Sequence, residues 1–246
     1  MIDLPALEAR LAVPALADVV SEDDLAGLPE PAARYLRHAA PPGTPIARAA
    51  RIEMAGRIRI GRWLRFRARE VLAPLEGFVW SARVGGVIVG SDHYADGEGA
   101  LDWRLLGRVP LVHAEGADVS RSAAGRAAGE AAWLPTVLLP RFGAEWRADD
   151  DRHATVTFAV DGQEPVDADL VVGADGELLA MTYRRWGDPD GAGTFGWHDF
   201  RMTAEAEGDV AGMRVPVAGR VGWGDTDFFH YEITSLAPVP SACGAG

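Results

Sequence analysis

The chain has 246 residues, 48% of them hydrophobic and 24% charged, and its 36 acidic against 24 basic side chains give a formal charge of -12. All the basic residues are arginines, which excludes chemistry built on a Schiff-base or phosphate-binding lysine, and the acidic balance argues against nucleic acid as a partner. A chain of this length buries roughly 70 to 75% of its unfolded surface, so it needs neither disulfides nor a structural metal, and Cys243 has no second cysteine to pair with.

The N-terminal stretch has acidic residues where a signal peptide carries basic ones, and no apolar run reaches the roughly 18 residues of a spanning helix. The expectation is a cytoplasmic protein with no transmembrane segment. Leu4, Leu7 and Leu11 recur at helical spacing, Ser21 precedes Glu22, Asp23 and Asp24 as an N-cap, and Pro31 suits the first position of a helix over Ala32 to Ala40. After Pro41-Pro42-Gly43 the apolar period changes to two. Ile52, Met54, Ile58 and Ile60 alternate with charged neighbours, Gly61-Arg62 turns the chain, and Trp63 to Leu72 returns as the second arm of a hairpin. Strands are predicted next at Phe78 to Val84, Val87 to Tyr94, Gly99 to Leu106 and Val109 to Ala114.

From Ser120 to about Leu138 the pattern is helical, with Pro135 stopping or kinking the helix near Trp133-Leu134. Strands resume at Ala144 to Arg147, Ala154 to Val160, Val166 to Val172, Leu178 to Arg185, Thr194 to Ala206, Met213 to Gly222 and Phe228 to Leu236. Asp161-Gly162 and Asp175-Gly176 are hairpin-turn signals. The expected class is mainly β (α+β): a large curved antiparallel sheet or half-barrel of about a dozen strands wrapped around a central helix. Residues 1–42 form a helical N-terminal segment on that reading, 43–237 the half-barrel and 238–246 a flexible tail.

No motif commits the chain to a reaction. Asp92 to Glu98 begins like a calcium loop, but Trp103 occupies the twelfth position, where a bidentate Glu is needed. The six histidines lack metal-ligand spacing, so no metal is assigned, and no cofactor fingerprint appears. The stripe Arg57, Arg59, Arg65, Arg67 and Arg69 is what the water-facing side of a hairpin requires. Arg126 and Glu130, four apart with Trp133 three beyond, share a helix face; they are either a surface salt bridge or the polar part of a cavity wall. Trp186, Phe195, Trp197, Phe200, Trp223, Phe228, Phe229 and Tyr231 are either core or the lining of an apolar site.

Several segments carry a family likeness: Leu28 to His38, Trp63 to Glu70, Gly77 to Arg83, Tyr94 to Gly99, Gly129 to Pro140 and Phe229 to Ile233. In these the chain resembles an uncharacterised bacterial family defined only as a domain of unknown function. The strand count and central helix are also similar to the lipoprotein-carrier (LolA-type) half-barrel, and that similarity implies a curved sheet around helices with an apolar cavity. The resulting expectation is a protein that binds a hydrophobic or aromatic small molecule, an acyl chain or apolar metabolite, through Trp80, Arg83, Tyr94, Arg126, Trp133, Phe229 and Tyr231. The alternatives are a protein-interaction module and a cofactor-independent isomerase, cyclase or dehydratase. In the enzyme, Glu130 is the acid/base, Arg83 and Arg126 hold an anion, and Trp80 and Trp133 form walls.

Overall fold

A computed structural model describes residues 3–241, so Cys243 lies outside the described residues. Helices α1 (Leu4–Leu11) and α2 (Glu30–Ala39) begin the chain. Between them Ser21 caps a 3-10 turn over Glu22–Asp24 in a capping box. Six strands follow: β1 (Ala50–Ile60), β2 (Arg62–Ala73), β3 (Gly77–Val84), β4 (Ile88–Ala95), β5 (Glu98–Leu105) and β6 (Val109–Glu115). Helix α3 (Ala117–Glu130) then leads into β7 (Glu145–Ala148), β8 (His153–Phe158), β9 (Val166–Val172), β10 (Leu178–Gly187), β11 (Gly196–Val210), β12 (Met213–Trp223) and β13 (Thr226–Pro238).

All 13 strands of the described residues join one curved, unclosed antiparallel sheet in the order β6-β5-β4-β3-β2-β1-β13-β12-β11-β10-β9-β8-β7. Two meanders therefore meet at a β1–β13 seam, and α3 carries the chain from one free edge to the other. The turns behave as their residues demand. Asp96 and Gly97, both left-handed at φ 54° and 79°, link β4 to β5 as a tight hairpin of the type that Asp-Gly favours.

Alternation sorts the side chains. In β2, Phe66, Glu70 and Leu72 face the concave side, where the main core contains Tyr35, Trp80, Leu134 and Tyr231. Val71 and Ala73 face the convex side, where Leu7 and Leu11 of α1 cover them together with Val79 and Ala95. The central helix is shorter than its sequence suggests. It ends at Glu130, and 3-10 turns over Ala131–Trp133, Pro135–Leu138 and Pro140–Phe142 carry the chain onward. Pro135 opens the second of these turns, and Thr136 anchors the segment by donating to Ala47 O at 2.6 Å.

Candidate functional site

Helix α3 crosses the concave face and plants Arg126 and Glu130 there. Arg126 Nε donates to Glu130 Oε1 at 2.7 Å, Nη1 to Asp92 Oδ2 at 3.2 Å and Nη2 to Glu70 Oε1 at 3.2 Å. Its guanidinium also lies over Phe78 and Trp80, 4.4 and 4.8 Å from the ring centroids. Strands β2 and β4 supply Glu70 and Asp92 from positions in the concave, apolar phase of their alternation. Asp92 in turn accepts from Trp103 Nε1 at 2.8 Å.

Three carboxylates around one guanidinium leave an excess of negative charge. Glu70, whose side chain has no exposed surface, is pushed well above the usual carboxylate range, first by burial and then by the charge of Glu130. Burial likewise raises Asp92, against the pull of Arg126 and the Trp103 N–H. Glu70 Oε2 and Glu130 Oε2 are both buried and have no donor among the described residues. A proton held by Glu70 and directed at Glu130 satisfies both atoms. Trp80 Nε1 is the third orphaned polar atom of this cluster.

Beside the cluster runs a continuous aromatic surface. Trp80 lies 5.7 Å from Trp103 and 6.1 Å from Phe66, which stacks on Phe229 at 4.7 Å. Phe228 continues the row to Trp223, which meets Phe200 edge-on at 4.8 Å. Trp80 and Phe66 are buried, whereas Trp103, Trp223, Phe228 and Phe229 are only half-buried. Ile58, Leu64, Ile88 and Val221 on the same concave face are half-buried too. The concavity is thus packed under α3 and open beyond it, where it presents an apolar floor. Arg185 borders this floor, its guanidinium 4.5 and 4.9 Å from the centroids of Phe200 and Trp223 and its N–H groups on Ser122 O.

A depression of 2090 Å³ lies on the other side of Arg185, around the start of α3 and the margin of the sheet. Its walls include Gly99 and Leu101 on the concave face but also Ser81, Ser91 and Asp102 on the convex face. It is therefore a groove that wraps the rim, and none of the aromatic floor lines it. Among the described residues no group of three or more His, Cys, Asp or Glu side chains is arranged to hold a metal ion, and no helix is long and apolar enough to cross a membrane.

A family model described as a family of unknown function, DUF6544, matches residues 18–232. The chain belongs to this family. No curated protein matches it in sequence. Similar solved structures include a LolA superfamily protein from Nitrosomonas europaea, at 7% identity and a TM-score of 0.48, with 90% of this chain and 94% of that one covered. A DUF1329 family protein from Desulfovibrio piger is 9% identical with a TM-score of 0.45, over 78% of this chain and 86% of that one.

In this DUF6544 chain the structure brings together Trp80, Arg126, Glu130 and Phe229, with Trp133 and Tyr231 packed edge-on at 5.2 Å just behind them. It does not bring in Arg83. Three residues from Trp80 along a strand, Arg83 points to the opposite face, where it is exposed and donates to Gly86 O. Tyr94 is fully buried, and its hydroxyl is spent on Asp161 O. Glu70, Asp92 and Trp103 were missed by sequence reasoning. The available signal was phase: Glu70 and Asp92 are carboxylates at positions where the alternation calls for apolar side chains.

Proposed function

We propose that the protein binds a largely apolar small molecule, an acyl chain or aromatic metabolite, on the open concave floor. The half-buried row Trp103, Phe229, Phe228 and Trp223, flanked by Ile58, Leu64 and Ile88, carries this reading. Contiguous apolar side chains left partly in water on a concave surface gain free energy when a ligand covers them, about 25 cal/mol for each Å² removed from water. Arg185 stands at the margin and suits a ligand with an anionic end, because its guanidinium faces rings and a backbone carbonyl and, among the described residues, pairs with no carboxylate.

The test is a fluorescence titration with a naturally fluorescent polyene fatty acid. Trp103→Ala and Phe229→Ala are expected to weaken binding about tenfold each, the loss of roughly 1.4 kcal/mol of contact. Unchanged affinity in both variants, or no binding to the wild-type protein, removes this function.

A second reading, a cofactor-independent enzyme with Glu130 as acid/base, is supported by the neighbouring Glu70 and Glu130 carboxyls around Arg126, since paired carboxyls are a common proton-transfer arrangement. The pair is enclosed behind Trp80 and Arg126, which favours binding as the first reading. If Glu130→Gln left the turnover of an isomerisable apolar substrate intact, the acid/base role would be gone.

A further inference from the structure

Alternate turns of an antiparallel meander lie at the same end of the sheet, so the β1–β2, β3–β4 and β5–β6 hairpins all project their tips beside the open floor. They are contiguous: Gly85 N donates to Arg65 O at 2.8 Å, and Leu106 N to Val87 O at 2.7 Å. Their composition is unlike the rest of this acidic chain. Residues 57–65, 83–89 and 104–112 contain arginines and no acidic side chain at all. Arg57, Arg59, Arg62, Arg65, Arg83 and Arg108 are exposed, and none forms an ion pair among the described residues. Between them the tips hold large aliphatic side chains out in water, with Ile60 49% and Leu106 67% exposed and Val87, Val109 and Leu111 close to half exposed. Trp63 is half-buried at the base of the first tip, with Arg57 over its ring.

From this juxtaposition we propose that the three hairpin tips form a docking face for an anionic lipid bilayer. Isolated aliphatic side chains set among unpaired guanidiniums match the headgroup and acyl boundary: the aliphatic tips enter, and the arginines meet lipid phosphates while their stems stay along apolar surface. Trp63 has the amphipathic character that favours such interfaces. A purely phosphodiester partner would engage the arginines and leave Ile60, Val87 and Leu106 in water. The free charges are concentrated here although the whole chain is at -12, so the protein meets an anionic surface in one orientation. That orientation sets the tip-ward end of the floor, at Ile58, Leu64 and Ile88, beside the bilayer.

The experiment is flotation of the full chain with vesicles of phosphatidylcholine alone and of phosphatidylcholine mixed with phosphatidylglycerol. Binding to the mixed vesicles only, reversed by high salt, is expected. Arg59→Ala and Arg62→Ala should each weaken it about fivefold, and Leu106→Asp should abolish it. Arg152→Ala, at the opposite end in the β7–β8 turn, should leave it unchanged. No binding to anionic vesicles, or binding indifferent to the tip substitutions, overturns the proposal. So does Leu106→Asp abolishing concentration-dependent self-association of a wild-type protein that ignores vesicles, because the tips would then dock a second copy. Docking and ligand binding fail separately: vesicle binding with no uptake of the polyene fatty acid sinks the ligand reading alone, and uptake without vesicle binding sinks docking alone.

Discussion

Around Arg126 three carboxylates share one positive charge, and burial together with the charge of Glu130 favours the protonated form of Glu70. The pH dependence follows. Native Glu70 keeps its proton to a higher pH than the unfolded side chain does, so its contribution to stability is fully present below its ordinary pKa of 4.5 and is lost as pH rises toward the native value. Asp24 has the opposite sign. Burial works to raise it, but the Arg141 fork and Ser21 hold it below 3.8, so its contribution is present above that pH and lost below. Glu70→Gln supplies a permanent donor toward Glu130. It should match or exceed the wild type in stability above the ordinary carboxylate range and flatten the decline that the wild type shows in urea melts as pH rises. A Gln variant much less stable than wild type there would show that Glu70 works as an anion. Arg126→Met strands the buried carboxyls without their counter-charge and should cost about 3–5 kcal/mol in the same melts.

At the level of elements, α3 is a poor helix that docks well. Gly125 and Gly129 lie on one face at i, i+4, and each forgoes about 1 kcal/mol of helix propensity relative to alanine. The return is close approach to β10. Tyr183 Oη donates to Gly125 O at 2.7 Å and lies against Gly129, while a β-carbon on Gly125 would stand 2.9 Å from Arg185 Cγ. Gly129→Ala should therefore lower the thermal midpoint despite the better propensity, by the equivalent of about 1–3 kcal/mol. A rise in the midpoint would mean the helix has room to shift. Gly125→Ala meets only a flexible stem and should cost less. Period-two alternation made nearly every strand legible in the sequence, because one face is buried and the other wet. The end of α3 was not legible, since Ala131 to Trp133 suit a helix and a 3-10 turn equally well. Nor was the Arg126 cluster: Glu130 could be read from its i, i+4 spacing, but Glu70 and Asp92 reach it only through the pairing of β2, β3 and β4. Arg83 and Trp80 are near in sequence, but parity along the strand separates them.

For the whole molecule, the decisive feature is the β1–β13 seam, which local patterns did not reveal because no turn joins its strands. Every other pair within a meander closes over a short connection, but across the seam Ala50 faces Pro238 and Met54 faces Ile233. Entropy penalises such distant closures before any contact repays them. The two meanders can gather separately, and the seam is expected to zip after the rate-limiting barrier. Met54 reports on this step, because its partner within the hairpin is only Ala68 whereas across the seam it meets Ile233. In stopped-flow measurements Met54→Ala should leave the refolding rate nearly unchanged and accelerate unfolding, whereas Leu72→Ala, inside the first meander, should slow refolding. Refolding slowed in full proportion by Met54→Ala would place the seam in the nucleus instead. A seam that closes late also opens early: the middle of the sheet, rather than its free edges, is then where the native state first parts, and hydrogen exchange at β1 and β13 should report it ahead of the hairpins on either side.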